Sequence, residues 1–370
     1  MTDMMRATMA TETASAPRPP RSPVPKNTFA FTSPYDACWM AYYYGLHFRN
    51  LFGSKVVRET DFLEKLKNRA ELPELMIMGN FVVERAAIVS ICRERGINVV
   101  HTEDGFFPHY STTHADPLGF CWESSLPRLV FRQCTGVQRM HAQKTRKEWL
   151  AFDLKPLPDS VRKPFVFWPL QLIGDQVNIW DLKVKDWAGL VRHFRACLPE
   201  DYQLVIKEHP RSKPEDNLGI AELAARLPNT VLVHRDTDLK TLLRDCRAVA
   251  GANSTVLYEA RLMFHKPVYT YARGWFTNHP ELFIPVPSRE PRALNRIDWV
   301  EDNRRVRTER LDEYSDWFLA QFLARQLDRQ RAESDPKWLK RALHRLSYSS
   351  FMKYGEQIFL DALEESSLTK

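Results

Sequence analysis

The chain has 370 residues, too many for one ordinary hydrophobic core, so two domains are expected. With 44% hydrophobic and 27% charged residues it has the composition of a globular protein, and its six cysteines form no CxxC pair, which argues against a disulfide framework and a structural zinc site. The net charge of +7 suits an anionic ligand or membrane surface, but no repeat, zinc pattern or aromatic–basic interleaving accompanies it, so no nucleic-acid partner is expected.

Residues 1–26 are rich in Thr, Ala, Pro, Ser and Arg and are expected to be a disordered tail without an apolar h-region. No run reaches the length of a membrane span, and the expected location is cytoplasmic. A first domain is expected over 27–160. Its run 28–32 leads to a turn or helix cap at 33–36 and an aromatic-rich helical pattern over 38–48. Residues 75–80 read as a buried strand and 83–95 as a helix ended by Gly96, where a left-handed cap is wanted. Residues 97–100 read as the next strand, and 101–107 as the turn that ends it, completing one βαβ unit. Residues 116–127 are rich in turn residues and aromatics. The polar, Pro-bearing stretch 144–163 is read as an interdomain linker.

A second domain is expected over 161–312. Short apolar runs at 165–168, 203–206, 230–233, 248–250 and 267–272 alternate with helical patterns at 185–198, at 238–245 and from Ser254. Such alternation predicts a doubly wound parallel sheet. From about 313 to 370 the pattern is helical and basic, with Trp317, Phe318, Phe322, Trp338 and Leu339 giving the helices an apolar side.

In a parallel sheet the C-terminal ends of the strands share one edge, and ligands bind in the crevice there. Three polar turns fall at that edge: the loop with Gln171 and Asp175, the turn Lys207-Glu208-His209-Pro210, and the turn Asn253-Ser254-Thr255. The last opens a helix, whose free N–H groups and dipole attract phosphate; a plain N-cap needs only one such residue. His209 precedes a proline and is held extended, placed to donate a hydrogen bond to phosphate or to act as an acid; a structural histidine is the alternative. Lys207 and Glu208 flank it, and a Glu in a buried cleft can move protons near neutrality. Asp175 reads either as a solvated turn carboxylate or as a nucleophile or charge stabiliser at a sugar carbon. On the first domain Glu103 or Asp104 is expected to face the cleft, with Glu123 and Ser124 in the next loop, although Asp-Gly is also a common turn pair. Asp236-Thr-Asp238 has the spacing of a cation-holding triplet but precedes a helix, where Asp is a favoured cap. GxGxxG and GxxxxGK[ST] are absent.

Five blocks together resemble the capsule polysaccharide biosynthesis family, and within it the retaining β-Kdo glycosyltransferases of bacterial capsule and O-antigen assembly. They are Glu103-Asp-Gly-Phe106, Asp116-Pro-Leu-Gly119, Pro169-Leu-Gln171 with Asp175, Lys207-Glu-His-Pro210, and Asn253-Ser-Thr-Val-Leu-Tyr-Glu-Ala260. The resemblance implies a GT-B architecture: two Rossmann-like domains facing a cleft, with C-terminal helices returning to the first domain. It implies CMP-β-Kdo as donor, a glycan or lipid-linked glycan as acceptor, and no metal cofactor. It places His209, Ser254 and Thr255 at the CMP phosphate, and makes Asp175 the nucleophile of a double displacement. Glu208, or a first-domain acid such as Glu103, then handles the acceptor's proton. Kdo carries a carboxylate beside its anomeric carbon, for which Lys207, Arg211, Arg128 and Arg273 are candidate cations. The alternatives are another GT-B transferase for sialyl or phosphosugar groups, and a non-catalytic nucleotide-binding subunit of a polysaccharide assembly complex. The basic C-terminal helices fit either peripheral contact with the anionic inner membrane or a solvated face.

Overall fold

The computed structural model describes residues 29–32, 55–56, 75–79, 85–108, 111–153, 155–172, 187–286 and 309–368. The expected tail over 1–26, the turn at 33–36, the helix over 38–48 and Asp175 lie outside these residues. The chain forms two compact units, one drawn from residues up to Ile77 with Val82–Asn98, the other from Met78–Phe81 with all that follows Asn98.

In the first unit β1 (Phe29–Thr32) pairs in parallel with β2 (Lys55–Val56). Strand β3 (Leu75–Gly79) starts here, and α1 (Arg85–Arg95) follows it. Gly96 ends the helix at φ +70°, and the amide of Ile97 reaches back to the Cys92 carbonyl at 2.8 Å. A side chain there would meet the strain of the left-handed region, which is why glycine stands at this cap.

From Val99 on, the chain belongs to the second unit, and β4 (Asn98–Asp104) is longer than its apolar run suggested. Residues 101–104 are strand, not turn, because they form an antiparallel ladder with β5 (Thr112–Asp116). Helix α2 (Gly136–Leu150) starts at a capping box in which Thr135 and Gln138 satisfy each other's backbone amides. Its last turns, 144–150, take up the first third of the stretch read as a linker. Its polarity misled, since its tertiary partners hold it: Arg146 donates from Nε to the Leu262 carbonyl at 2.8 Å and pairs with Asp316 at 2.8 Å.

The elements β6 (Phe165–Pro169), α3 (Trp187–Cys197), β7 (Gln203–Lys207), α4 (Pro214–Arg226), β8 (Thr230–Val233), α5 (Leu239–Asp245), β9 (Ala248–Gly251), α6 (Thr255–Tyr258) and β10 (Val268–Thr270) follow the expected alternation, and a short strand that the sequence did not suggest, β11 (Ile284–Pro285), comes after them. A wider helical turn, Glu259–Met263, continues α6. The six strands form one sheet in the order β11-β10-β9-β6-β7-β8, every pair parallel. Both faces of the central strands are covered, so β6 and β9 are apolar and buried at every position. Phe165 and Phe167 enter one core and Val166 and Trp168 the other, all four fully buried. Each such side chain contributes about 1.5–3 kcal/mol.

The C-terminal segment contains α7 (Glu309–Leu323), β12 (Gln326–Asp328), α8 (Arg329–Ser334), α9 (Pro336–Arg345), α10 (Tyr348–Tyr354) and α11 (Gln357–Leu368). Continuous helix was expected through 327. Instead the chain leaves α7 and lays β12 antiparallel against β5, with Leu327 buried. An otherwise bare strand edge gains its hydrogen-bond partners this way, and local periodicity cannot report that demand. Arg325, fully buried just before β12, pairs with Asp116 at 3.2 Å and donates to Ser125 Oγ at 2.7 Å. The C-terminal segment thus closes the β4–β5 ladder within the same unit.

Candidate active site at the strand ends

The order of the parallel sheet reverses between β6 and β9, so the chain leaves those two strands in opposite directions and opens a crevice beyond their carboxyl ends. The register of β6 on β9 places Phe167 opposite Val249 and carries Gln171 level with Asn253. The two side chains meet there. Gln171 donates from Nε2 to Asn253 Oδ1 at 2.8 Å, and its Oε1 accepts from the Asn253 amide at 3.2 Å. Asn253 is 4% exposed, and its Nδ2 has no hydrogen-bond partner among the described residues. A buried donor without a partner is rare in a folded protein, which marks this switch point out. Ser254 follows as the N-cap of α6, its Oγ accepting from the Val256 amide at 3.3 Å, with Thr255 half-buried beside it.

One strand further, the backbone of Leu170 is bonded to the Lys207 carbonyl at 2.9 Å, so the β7 turn stands next to the β6 loop. Lys207 is buried, and its ammonium donates to the Arg235 carbonyl at 2.6 Å; burial draws its pKa below the usual lysine value. That places it on the β8 side, where it orients the turn. Glu208 Oε2 accepts from the Arg235 amide at 3.1 Å. His209 Nδ1 accepts from the Arg211 amide at 3.1 Å, which leaves Nε2 as the protonated nitrogen of a neutral ring. Desolvation first, then Arg211 and Lys207, lower its pKa to about 4. At neutral pH His209 is therefore a neutral donor, not an acid. Arg211 itself is exposed.

Beyond β10 the same edge carries Arg273, since the Tyr271 amide is bonded to the Gly251 carbonyl at 3.0 Å. The Arg273 guanidinium lies 3.7 Å from the centre of the Trp122 ring, on the turn Cys121–Glu123. This stack brings the half-buried Glu123 to the sheet's carboxyl edge. Ser124 is fully buried behind it.

Glu103 is placed differently. It is 5% exposed and stands opposite His114 in the β4–β5 ladder, and its charge helps to raise the pKa of the buried Tyr258, chiefly raised by burial. His114 in turn stands opposite Gln326, whose Nε2 donates to its Nδ1 at 3.0 Å. A Glu–His–Gln row thus crosses three strands under Phe106, Trp275 and Phe322. Asp104 pairs with Arg329 at 3.0 Å. Asp238 caps α5 by accepting from the Thr241 amide at 2.7 Å, while Asp236 is exposed near His234, so the triplet divides between a cap and a turn.

Sequence reading left two residues without a role. Trp122 was invisible because its partner is far away in the chain. Glu259 was readable: four residues after Thr255, it shares that residue's helix face. Burial pushes its carboxyl up to about 7, with Lys240 acting in the opposite direction.

Residues 129–279 match the family described as capsule polysaccharide biosynthesis protein. The match bears out the resemblance read from the motifs and contains three of its five blocks, those at 169–171, 207–210 and 253–260. Among solved structures, the chain is similar to the β-Kdo 2,7 transferase of KpsC from Thermosulfurimonas dismutans. The TM-score is 0.54 at 15% identity, covering 85% of this chain and 100% of that one. It is also similar to the β-Kdo 2,4 transferase of the same organism's KpsC, with a TM-score of 0.49 at 16% identity, covering 78% and 89%. No curated protein matches the chain in sequence. The structural likeness is one of fold, and the chain has an α/β architecture of the GT-B type.

Proposed function

We propose that the chain is a glycosyltransferase of surface-polysaccharide assembly that takes a CMP-activated sugar, CMP-β-Kdo, and transfers it with retention. The Gln171–Asn253 clamp across the switch point carries this reading, because it lies inside the capsule-family segment and presents an open buried donor where a nucleotide phosphate binds. Ser254, Thr255 and the Nε2–H of His209 hold the phosphate. Arg273 takes the carboxylate of the donor sugar, since of the four candidate cations it alone combines the carboxyl edge with a fixed aromatic support.

In this mechanism the Asp175 carboxylate attacks the anomeric carbon as the bond to the CMP oxygen breaks, and CMP leaves with both bonding electrons. The acceptor hydroxyl then displaces Asp175 and loses its proton to a carboxylate, for which Glu208 is our choice. Two inversions give net retention. The reaction as proposed requires no metal. The acceptor is a glycan or lipid-linked glycan. No helix among the described residues is long and apolar enough to cross a membrane. Contact with an anionic membrane is assigned to Lys337 and Arg341 of α9 and to Met352 and Tyr354 of α10, which are 64% and 56% exposed. Flotation with anionic vesicles tests it, and a protein left at the bottom of the gradient excludes it.

The central experiment is intact-mass spectrometry after incubation with CMP-β-Kdo generated in situ. A protein-bound Kdo, absent from Asp175→Ala, supports donor and mechanism together. Transfer by Asp175→Ala at the wild-type rate removes the covalent mechanism. No turnover of any CMP-sugar leaves a nucleotide-binding subunit.

A further inference from the structure

The two segments that carry the Trp122–Arg273 stack run on past it and part to form a groove of about 390 Å³, walled by residues 127–131 on one side and by Asn278 and Glu281 on the other. Asn278 ties the walls together by donating from Nδ2 to the Pro127 carbonyl at 3.0 Å. The floor is aromatic. Phe131, half-buried, lies flat on Tyr314 of α7, with centroids 4.4 Å apart and planes 9° from parallel. Tyr314 donates its hydroxyl proton to His279 Nδ1 at 2.6 Å, and the buried His279 ring donates from Nε2 to the Leu126 carbonyl at 3.0 Å, so the floor is fixed from below. Arg128 and Arg310, both exposed, stand at the rim. Glu281 is the one carboxylate among the described lining residues, against two arginines, which gives that lining a net positive charge.

We infer that this groove is an acceptor-side subsite for an acidic glycan, with Phe131 and Tyr314 under a sugar ring and Arg128 and Arg310 on its carboxylates. The inference rests on the glycosyltransferase reading and adds to it the chemistry of the acceptor. A pyranose has an apolar C–H face that packs on a flat ring and hydroxyl edges that donate hydrogen bonds to groups such as Glu281. A guanidinium matches a planar carboxylate through two parallel hydrogen bonds. A nucleotide fits less well, because the described lining residues include no glycine-rich turn to cradle a phosphate. Continuity with the Arg273 stack places such a strand on a path toward the donor edge.

The test is titration of the full chain with pentagalacturonate, maltopentaose, pentaglutamate and CMP, followed by calorimetry. Pentagalacturonate should bind, and Arg128→Ala/Arg310→Ala and Phe131→Ala should each weaken it by about tenfold or more, both with unchanged CMP affinity and the arginine variant also with unchanged melting temperature. Arg226→Ala, an exposed arginine far along the chain, should change nothing. Equal binding of maltopentaose, or of pentaglutamate, overturns the proposal, as does displacement by CMP or wild-type affinity in the double variant. Sugar-transfer assays on the same samples separate the two readings. Pentagalacturonate binding without any transfer leaves the groove and removes the transferase, while transfer without this binding does the reverse.

Discussion

Gln171→Ala removes both hydrogen bonds that join the ends of β6 and β9. Asn253 then keeps a backbone N–H and a side-chain carbonyl oxygen without their partner, in a residue only 4% exposed. Each orphaned group costs about 1–3 kcal/mol, and a water entering the space left by the side chain restores part of it. The expected loss is about 2–4 kcal/mol, read as a lower urea midpoint at unchanged m-value. CMP affinity should fall by about tenfold, since the loop that presents Ser254 and Thr255 loses its fixed register, and a misplacement of this size is worth about 1.4 kcal/mol. Gln171→Glu makes a sharper probe. Its carboxylate can still accept from the Asn253 amide but cannot donate to Oδ1, so it should lose about 1–3 kcal/mol without any change in side-chain volume. If Gln171→Ala stays within about 0.5 kcal/mol of the wild type and binds CMP normally, the clamp does not organise the site.

His209 should titrate near pH 4 by NMR, with its proton on Nε2 above that point. Its folded pKa lies below the unfolded value, so its contribution to stability is intact above pH 6.5 and is lost as pH falls toward 4; His209→Gln should remove about 1–2 kcal/mol of that acid sensitivity. Glu259 behaves in the opposite sense. Its raised pKa of about 7 means that stability falls as pH rises from 4.5 to 7, so Glu259→Gln should match the wild type at pH 4.5 and exceed it by about 2–3 kcal/mol at pH 8. Asp175→Ala should abolish transfer while leaving CMP affinity within about twofold, measured by calorimetry. Arg325→Met leaves the Asp116 carboxylate, which is 1% exposed, without its cation, although the Leu118, Gly119 and Ser125 amides and the Ser125 hydroxyl still donate to it, and should cost about 3 kcal/mol in thermal unfolding; adding Asp116→Asn should restore part of it.

About half of the site is legible along the chain. Gln171, His209, Asn253, Ser254 and Thr255 can be picked out because a buried parallel strand writes itself as an apolar run, and the polar residues just after it stand at the carboxyl edge. The role of Lys207 is not legible: its ammonium turns to the Arg235 carbonyl, a choice made by a neighbouring strand. Glu103 resembles a turn residue because Asp104-Gly105 resembles a turn. Its burial depends on a ladder with β5 whose strand, Thr112–Asp116, is polar and lacks the apolar alternation that marks strands.

The sequence by itself determined five of the six strands of the parallel sheet, their boundaries to within a residue or two, and the family resemblance. These follow from local chemistry: which runs are apolar, which turns carry Pro, Gly or Asn, and which polar blocks follow one another in order. Only the tertiary structure decided that Gln171 and Asn253 meet, that Trp122 supports Arg273, and that residues 324–328 leave a helix to close a strand edge. Those outcomes depend on groups tens to hundreds of residues apart competing for the same hydrogen bonds and the same buried volume. A periodicity read along one segment contains no term for a partner on another.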